Sequence, residues 1–304
     1  MTQDFDVLSY GTIGLDYIIH VPDWPSPAMG VHAPSEAEHL GGKAANVAAF
    51  LSAWGVSVAI SGNEIGGDAV GNRLMEILKL HSNIDITYLT RNPSGRSMYC
   101  RILVNPAGDR AIIGINVDES PQTEPSREMV GAARLTTLDL YGGSERVKVA
   151  RLAAETGHPV VVGDLRRVDH PVLPYTTTAI ASAAEIRRDY PAMSLEEYAA
   201  QVSRQGPPQI IITDGAEPVD VFDAGAGRVI VVPPAVNVVD STGAGDAFRA
   251  GVVYGTLQGL SLVECAALGT AAGSLNVCRE GAASHPATEQ EVRSLASQLT
   301  LRID

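Results

Sequence analysis

Cysteine is scarce: Cys100, Cys265 and Cys278 are the only three in 304 residues, none in a CxxC pair, and the seven histidines form no HExxH pattern. That spacing speaks against a structural metal site. Positive charge is also short. Lys and Arg total 22 against 35 Asp and Glu, a formal charge of −13, which argues against a nucleic-acid or anionic-membrane partner while permitting a local basic pocket. No apolar run reaches 18 residues, and the start, Met-Thr-Gln-Asp-Phe-Asp, has neither a basic stretch nor an apolar core. The cytoplasm is the expected address. The pattern GxxxxGK[ST] is missing and no GxGxxG follows an early strand, so a P-loop enzyme and a standard dinucleotide fold are disfavoured.

A chain 45% hydrophobic and 19% charged can bury a large core. Short apolar runs at 7–10 and 56–61 alternate with longer amphipathic or Ala-rich ones at 44–54 and 69–80, which predicts strand, helix, strand, helix and therefore a parallel sheet. The rhythm resumes at 134–140, 145–155, 159–163, 195–204 and 209–213, with helices predicted over 247–258 and 262–277. Two segments break it. Residues 16–40 are rich in proline, and 98–104 and 110–113 flank the turn-rich Asn105-Pro-Ala-Gly-Asp109; both are read as strands of a small β lid, able to keep water from a reactive group.

Chemistry concentrates in two glycine-rich stretches. In Asp240-Ser-Thr-Gly-Ala-Gly-Asp-Ala-Phe248, permissive backbone runs into a helix start, whose unpaired N–H groups favour an anion such as a phosphate. An acid just beyond such a cradle repels the anion and suits acceptance of a proton from an attacking hydroxyl. The same residues are compatible with simple capping and dipole compensation. Gly41-Gly-Lys-Ala-Ala-Asn46 opens another helix, with Lys43 and Asn46 placed to hydrogen-bond a polyol, or it is an ordinary glycine turn with a solvated lysine.

Together, in this order and separation, the two stretches resemble the paired signatures of the ribokinase-like (PfkB-type) carbohydrate kinases. Gly62-Asn-Glu-Ile-Gly-Gly-Asp68 with Gly71 is similar to a further glycine pattern of that family, and Gly108-Asp-Arg110 to the Gly-Glu-Arg of its lid hairpin. The resemblance covers nearly the whole chain. It implies an α/β fold, a three-layer α/β/α sandwich with a central, mostly parallel sheet, in one domain over 1–304 with lid strands from about 16–40 and 97–116. It implies ATP-dependent phosphorylation of a hydroxymethyl group on a small sugar or polyol, with Asp246 as general base and the Gly243, Ala244 and Gly245 amides as anion hole. Mg²⁺ accompanies the nucleotide in this scheme, and the protein mainly positions and stabilises charge.

By the same resemblance Asp16, Gly42, Lys43 and Asn46 contact the acceptor. Asp139 is either a second substrate carboxylate or a cap for the helix after Gly143. Thr213 and Gly215, with a loop over 277–284 containing Gly281, face the nucleotide, although Pro218 stands where the family carries glycine. Glu185 is expected to reach Mg²⁺ through water, with Ser182 in place of the family's Asn; alternatively it is solvated on an exposed helix with Arg187 and Arg188. Asp240 and Thr242 resemble ligands of a monovalent cation, K⁺. Arg249 stands where many members have Asn, either reaching an acidic sugar or phosphate or solvated on the helix exterior, and Asp164-Leu-Arg166 departs from the usual strand end. The scarcity of basic residues in the Asp16–Lys43 region disfavours an already phosphorylated sugar. A nucleoside is the rival acceptor, a non-catalytic sugar or nucleotide sensor the rival class, and a homodimer through the lid a further expectation.

Overall fold

The computed structural model describes residues 4–117 and 120–303; residues 1–3, at the start that lacks a basic stretch and an apolar core, lie outside the described residues, as do 118–119 and 304. Ten strands form one sheet in the order Thr300–Ile303, Gly227–Val232, Glu217–Asp223, Gln209–Asp214, Thr178–Ser182, Val160–Leu165, Ala133–Leu138, Phe5–Gly11, Val58–Gly62, Ile84–Asp85. From Gln209–Asp214 onward the pairs are parallel, and the first three strands run antiparallel. The fold is the expected α/β sandwich with a mostly parallel sheet.

The sheet strands are apolar on both faces because helices cover both. Successive residues take opposite sides: Val7, Ile60, Val161 and Ile211 pack with Val47, Leu51, Phe248, Val252 and Leu268 in one core, while Leu8, Tyr10, Val162, Ile210 and Ile212 pack with Val149, Leu152, Tyr198 and Val202 in the other. A second sheet of four strands, in the order Ser35–Gly41, Gly14–His20, Tyr99–Val104, Arg110–Ile115, arises from the two segments that broke the alternation.

The antiparallel edge at 217–232 and 300–303 has no counterpart among the sequence expectations. Two of its strands, Glu217–Asp223 and Thr300–Ile303, interleave charged residues with apolar ones, and the apolar run Val229–Val232 in Gly227–Val232 is followed at once by Pro233-Pro234.

The helix Ala244–Leu257 starts three residues before the predicted 247, because Gly243 takes the left-handed conformation (φ 74°) as its N-cap. Asp246 is therefore inside its first turn. This helix crosses Leu262–Asn276 with backbone nearly touching backbone: a Cβ on Gly251 would lie 2.6 Å from the Gly269 nitrogen. Small residues at the crossing fix the depth of the helix, and so of Asp246.

Candidate active site

A cleft of about 800 Å³ opens between the strand ends and the start of Ala244–Leu257, lined by Gly163, Asp164, Ser182, Glu185, Thr213, Gly215, Ser241, Ala244, Gly245, Asp246 and Arg249, with Pro233, Val238 and Val277 on an apolar wall. The loop at its base is braced from both sides. Asp240 accepts the Thr242 amide (2.8 Å) through one oxygen and the Gly281 amide (2.9 Å) through the other, and the Asn276 Nδ2 donates to the Thr242 carbonyl (2.8 Å). Burial works against the Asp240 charge, but those amides, the Thr242 hydroxyl and Arg110 outweigh it and hold its carboxyl below the usual range.

Among the described residues the Gly243 and Gly245 amides have no internal acceptor, and Ala244 has only a long 3.4 Å contact to the Ser241 carbonyl. Unpaired N–H groups at a helix start are the arrangement that favours an anion. From the small sheet, Arg110 reaches this loop, its Nη1 donating to the Ser241 (2.8 Å) and Thr242 (3.3 Å) hydroxyls.

The two signature stretches, 200 residues apart, meet directly: Asn46 Nδ2 donates to the Asp246 carboxylate at 2.8 Å. Gly42 makes this turn feasible with φ 86°, since a Cβ there would sit 2.5 Å from the Thr12 carbonyl oxygen. Asp246 is buried, and desolvation raises its pKa against the opposing pull of Lys43, Arg249 and Asn46. A carboxyl poised upward in this way accepts a proton more readily near neutral pH. Asp16 is buried across the strand Gly14–His20, in space left by Gly41, whose Cβ would fall 2.4 Å from its carboxylate. Desolvation pushes Asp16 up to about 7, opposed by the Cys100 thiol and helped by the Asp246 charge.

Several of the expected residues are already engaged within the chain. Lys43, about one-third exposed, pairs its Nζ with Asp164 at 2.6 Å and lies 5.3 Å from the centre of the Tyr141 ring. Asp139 has no exposed surface. It accepts the Thr12 amide (2.7 Å) and hydroxyl (3.0 Å) and the Tyr141 amide (3.0 Å), while the helix Ser144–Glu155 begins on Gly143 without a side-chain cap. These contacts tie it to the Thr12 turn, and none of them caps that helix. Arg249, expected to be solvated if it reached no ligand, is 3% exposed.

The remaining predicted positions lie as follows. Thr213 donates to the Ala181 carbonyl (3.3 Å), and Thr213, Gly215 and Glu185 all border the cleft. Glu185 is partly buried beside Arg188 (3.8 Å), whereas Arg187 turns to Asp214 (2.6 Å). Gly281 has φ 85° and packs its bare backbone against His39. Among the described residues no three His, Cys, Asp or Glu side chains cluster to hold a metal ion. No helix among them is long and apolar enough to cross a membrane.

Asp164 went unrecognised as a site residue. It sits at φ 60° in a strand whose register shifts between Val162 and Leu165, a strained conformation that tends to collect at functional sites. Only its departure from the family's strand end could have drawn notice.

The model of the pfkB family of carbohydrate kinases matches residues 4–289. A nucleoside kinase of Methanothermobacter thermautotrophicus is 26% identical over 98% of both chains, and a ribokinase of Haemophilus influenzae 26% identical over 92% of this chain and 95% of its own. The structure of Arabidopsis thaliana ribokinase complexed with ribose and ATP superposes with a TM-score of 0.83 at 22% identity, covering 97% of this chain and 99% of that one. The glycine signatures, the helix-start amides and this match agree: the chain belongs to the pfkB family of carbohydrate kinases and is an ATP-dependent kinase.

Proposed function

We propose that the protein transfers the terminal phosphoryl group of ATP to a hydroxymethyl group of a small sugar or sugar-like polyol. The observation that carries this reading is the Asn46 to Asp246 hydrogen bond of 2.8 Å, which supports it by joining the two glycine-rich stretches at one carboxylate. Asp246 takes the hydroxyl proton as the new O–P bond forms and the bond to ADP breaks, while the 243–245 amides receive the charge on the migrating group. Asp16 and Asn46 orient the acceptor, and the small sheet, with Arg110, closes over it as a lid.

The apolar wall and cradle suit an adenine nucleotide. Mg²⁺, when bound with the triphosphate, would neutralise its charge, and Glu185, which borders the cleft, would hold its waters. A nucleoside acceptor is the second reading, favoured by the full-length similarity to a nucleoside kinase. Incubation with Mg-ATP and a panel of pentoses, hexoses, sugar acids and nucleosides, followed by ADP release and product mass, tests the proposal. A monophosphate of a sugar or polyol is expected; a response to nucleosides alone would replace the first acceptor with the second, and none with any acceptor would defeat both.

Asp16 gives a test of site and stability together. Its folded carboxyl holds a proton up to about 7, well above the value of an unfolded Asp. The folded chain therefore binds more protons than the unfolded one between those values, so this group's contribution to stability falls as pH rises through that window. Asp16→Asn removes the cost of the buried charge and is expected to gain on the order of 1 kcal/mol at pH 8 but not at pH 4, while raising the KM for the acceptor and sparing that for ATP. Melting curves at both pH values and initial rates check this; a variant less stable than the parent at pH 8 contradicts it.

A further inference from the structure

Arg249 is a buried arginine with an unusual shortage of partners. Its Nη2 donates to the Lys43 carbonyl at 3.0 Å, yet its Nε and Nη1 have no hydrogen-bond partner. Two carboxylates stand just beyond hydrogen-bonding distance: Asp246, 3.9 Å from Nη2, and Asp164, 3.7 Å from Nη1. Burying a guanidinium with unpaired nitrogens is costly, and an apolar side chain would fill the same volume more favourably. The charge itself must therefore be the reason for the residue.

The backbone has been shaped to receive it. A Cβ on Gly163 would lie 2.6 Å from the Arg249 Nη1 and 2.8 Å from its Cδ, so the bare strand at 163 is the seat on which the guanidinium lies. The next residue, Asp164, adopts φ 60° and pairs with Lys43 at 2.6 Å. One side chain thus touches the turn of the acceptor stretch, approaches the strand end, and stands one helical turn below Asp246.

We propose that Arg249, seated on Gly163, is the positioning residue for the base: it orients the Asp246 carboxylate and locks it to the Lys43 turn and the Asp164 strand end. The inference rests on the reading of Asp246 as the base. The charged groups around that carboxylate are Lys43 from the helix Lys43–Ala53, Asp164 from Val160–Leu165, Asp16 from Gly14–His20, and Arg249 from its own helix. The two cations, Lys43 and Arg249, face Asp164 and, above about pH 7, Asp16 as well, so removal of Arg249 tips the surroundings negative and disfavours the ionised base.

Three single variants, Arg249→Gln, Arg249→Lys and Gly163→Ala, and one double variant, Gly163→Ala/Arg249→Gln, test it. Arg249→Gln is expected to lower kcat about 10-fold with little change in the KM for ATP, and to move the acid limb of the kcat/KM profile to higher pH. Arg249→Lys restores the acid limb, since it returns the charge, but not the full kcat, since it lacks the fork. Gly163→Ala lowers kcat by displacing the guanidinium, yet changes it less than about 2-fold when Arg249→Gln is already present. If Arg249→Gln does not fold, the Gly163→Ala profile carries the same test. Unchanged kcat and pH profile in Arg249→Gln, or equal effects of Gly163→Ala in both backgrounds, overturn the proposal while loss of turnover in Asp246→Asn leaves the base reading intact; retention of turnover in Asp246→Asn removes the base reading itself.

Discussion

Asp246→Asn is expected to reduce turnover by about 10²-fold or more with no matching loss of ATP binding. The substitution preserves shape, and an amide oxygen at 246 can still accept from the Asn46 Nδ2 that now donates at 2.8 Å. What it removes is basicity. The amide cradle at 243–245 is untouched, so the nucleotide keeps its anion site and the deficit falls on the step in which the hydroxyl loses its proton. The same variant separates an enzyme from a sensor that uses the fold to bind a sugar or nucleotide, because a sensor's ligand response has no need of a base. Single-turnover rates beside equilibrium ATP titration make the comparison. Equal losses in both would mean that Asp246 holds the nucleotide site together and does not act on the hydroxyl.

The second large effect concerns the helix that carries the base. Gly251→Leu is expected to destabilise the protein by about 3 kcal/mol or more, because the first added carbon alone would meet the Gly269 nitrogen at 2.6 Å and its Cα at 2.7 Å. Those atoms belong to a helix backbone, which cannot swing aside as a side chain would. Gly245, six residues earlier on the same helix, supplies the contrast. A Cβ there meets nothing within 4 Å, and the residue borders the cleft. Gly245→Ala should therefore leave the melting temperature nearly unchanged while weakening activity through the approach of the phosphoryl group. Chemical denaturation of both variants reads the difference; a Gly251→Leu protein as stable as its parent would show that the crossing does not set the depth of Asp246.

Most of the parallel part of the sheet was legible because its strands are short apolar runs between longer amphipathic or Ala-rich ones; Thr178–Ser182 and Ile84–Asp85, too short or too small-sided to stand out, were not. The small sheet announced itself by interrupting that rhythm. Asn46 and Asp246 were legible as local patterns, each a polar side chain in the first turn after paired or alternating glycines. Their contact was not, since 200 residues separate them and only the packing of two helices brings them together. Arg249 offered a partial signal. Three residues after Asp246 it shares that residue's helical face, so a helix started at 244 would have turned it toward the cleft.

Asp139 was legible as a strand-end acid, but its surroundings were not: the bare backbone of Gly11, where a Cβ would lie 2.1 Å from its carboxylate, leaves the room in which it meets the Thr12 turn. Asp164 depended on a left-handed backbone that no residue type in 163–166 betrays.

The most direct measurement of the central claim is a crystal structure with the acceptor and a non-hydrolysable ATP analogue bound together. The account predicts the acceptor's hydroxymethyl oxygen about 2.6–3.2 Å from the Asp246 carboxylate, with the terminal phosphate analogue against the Gly243 to Gly245 amides and in line with that oxygen. An acceptor oxygen beyond reach of Asp246, or a phosphate held away from those amides, would contradict it.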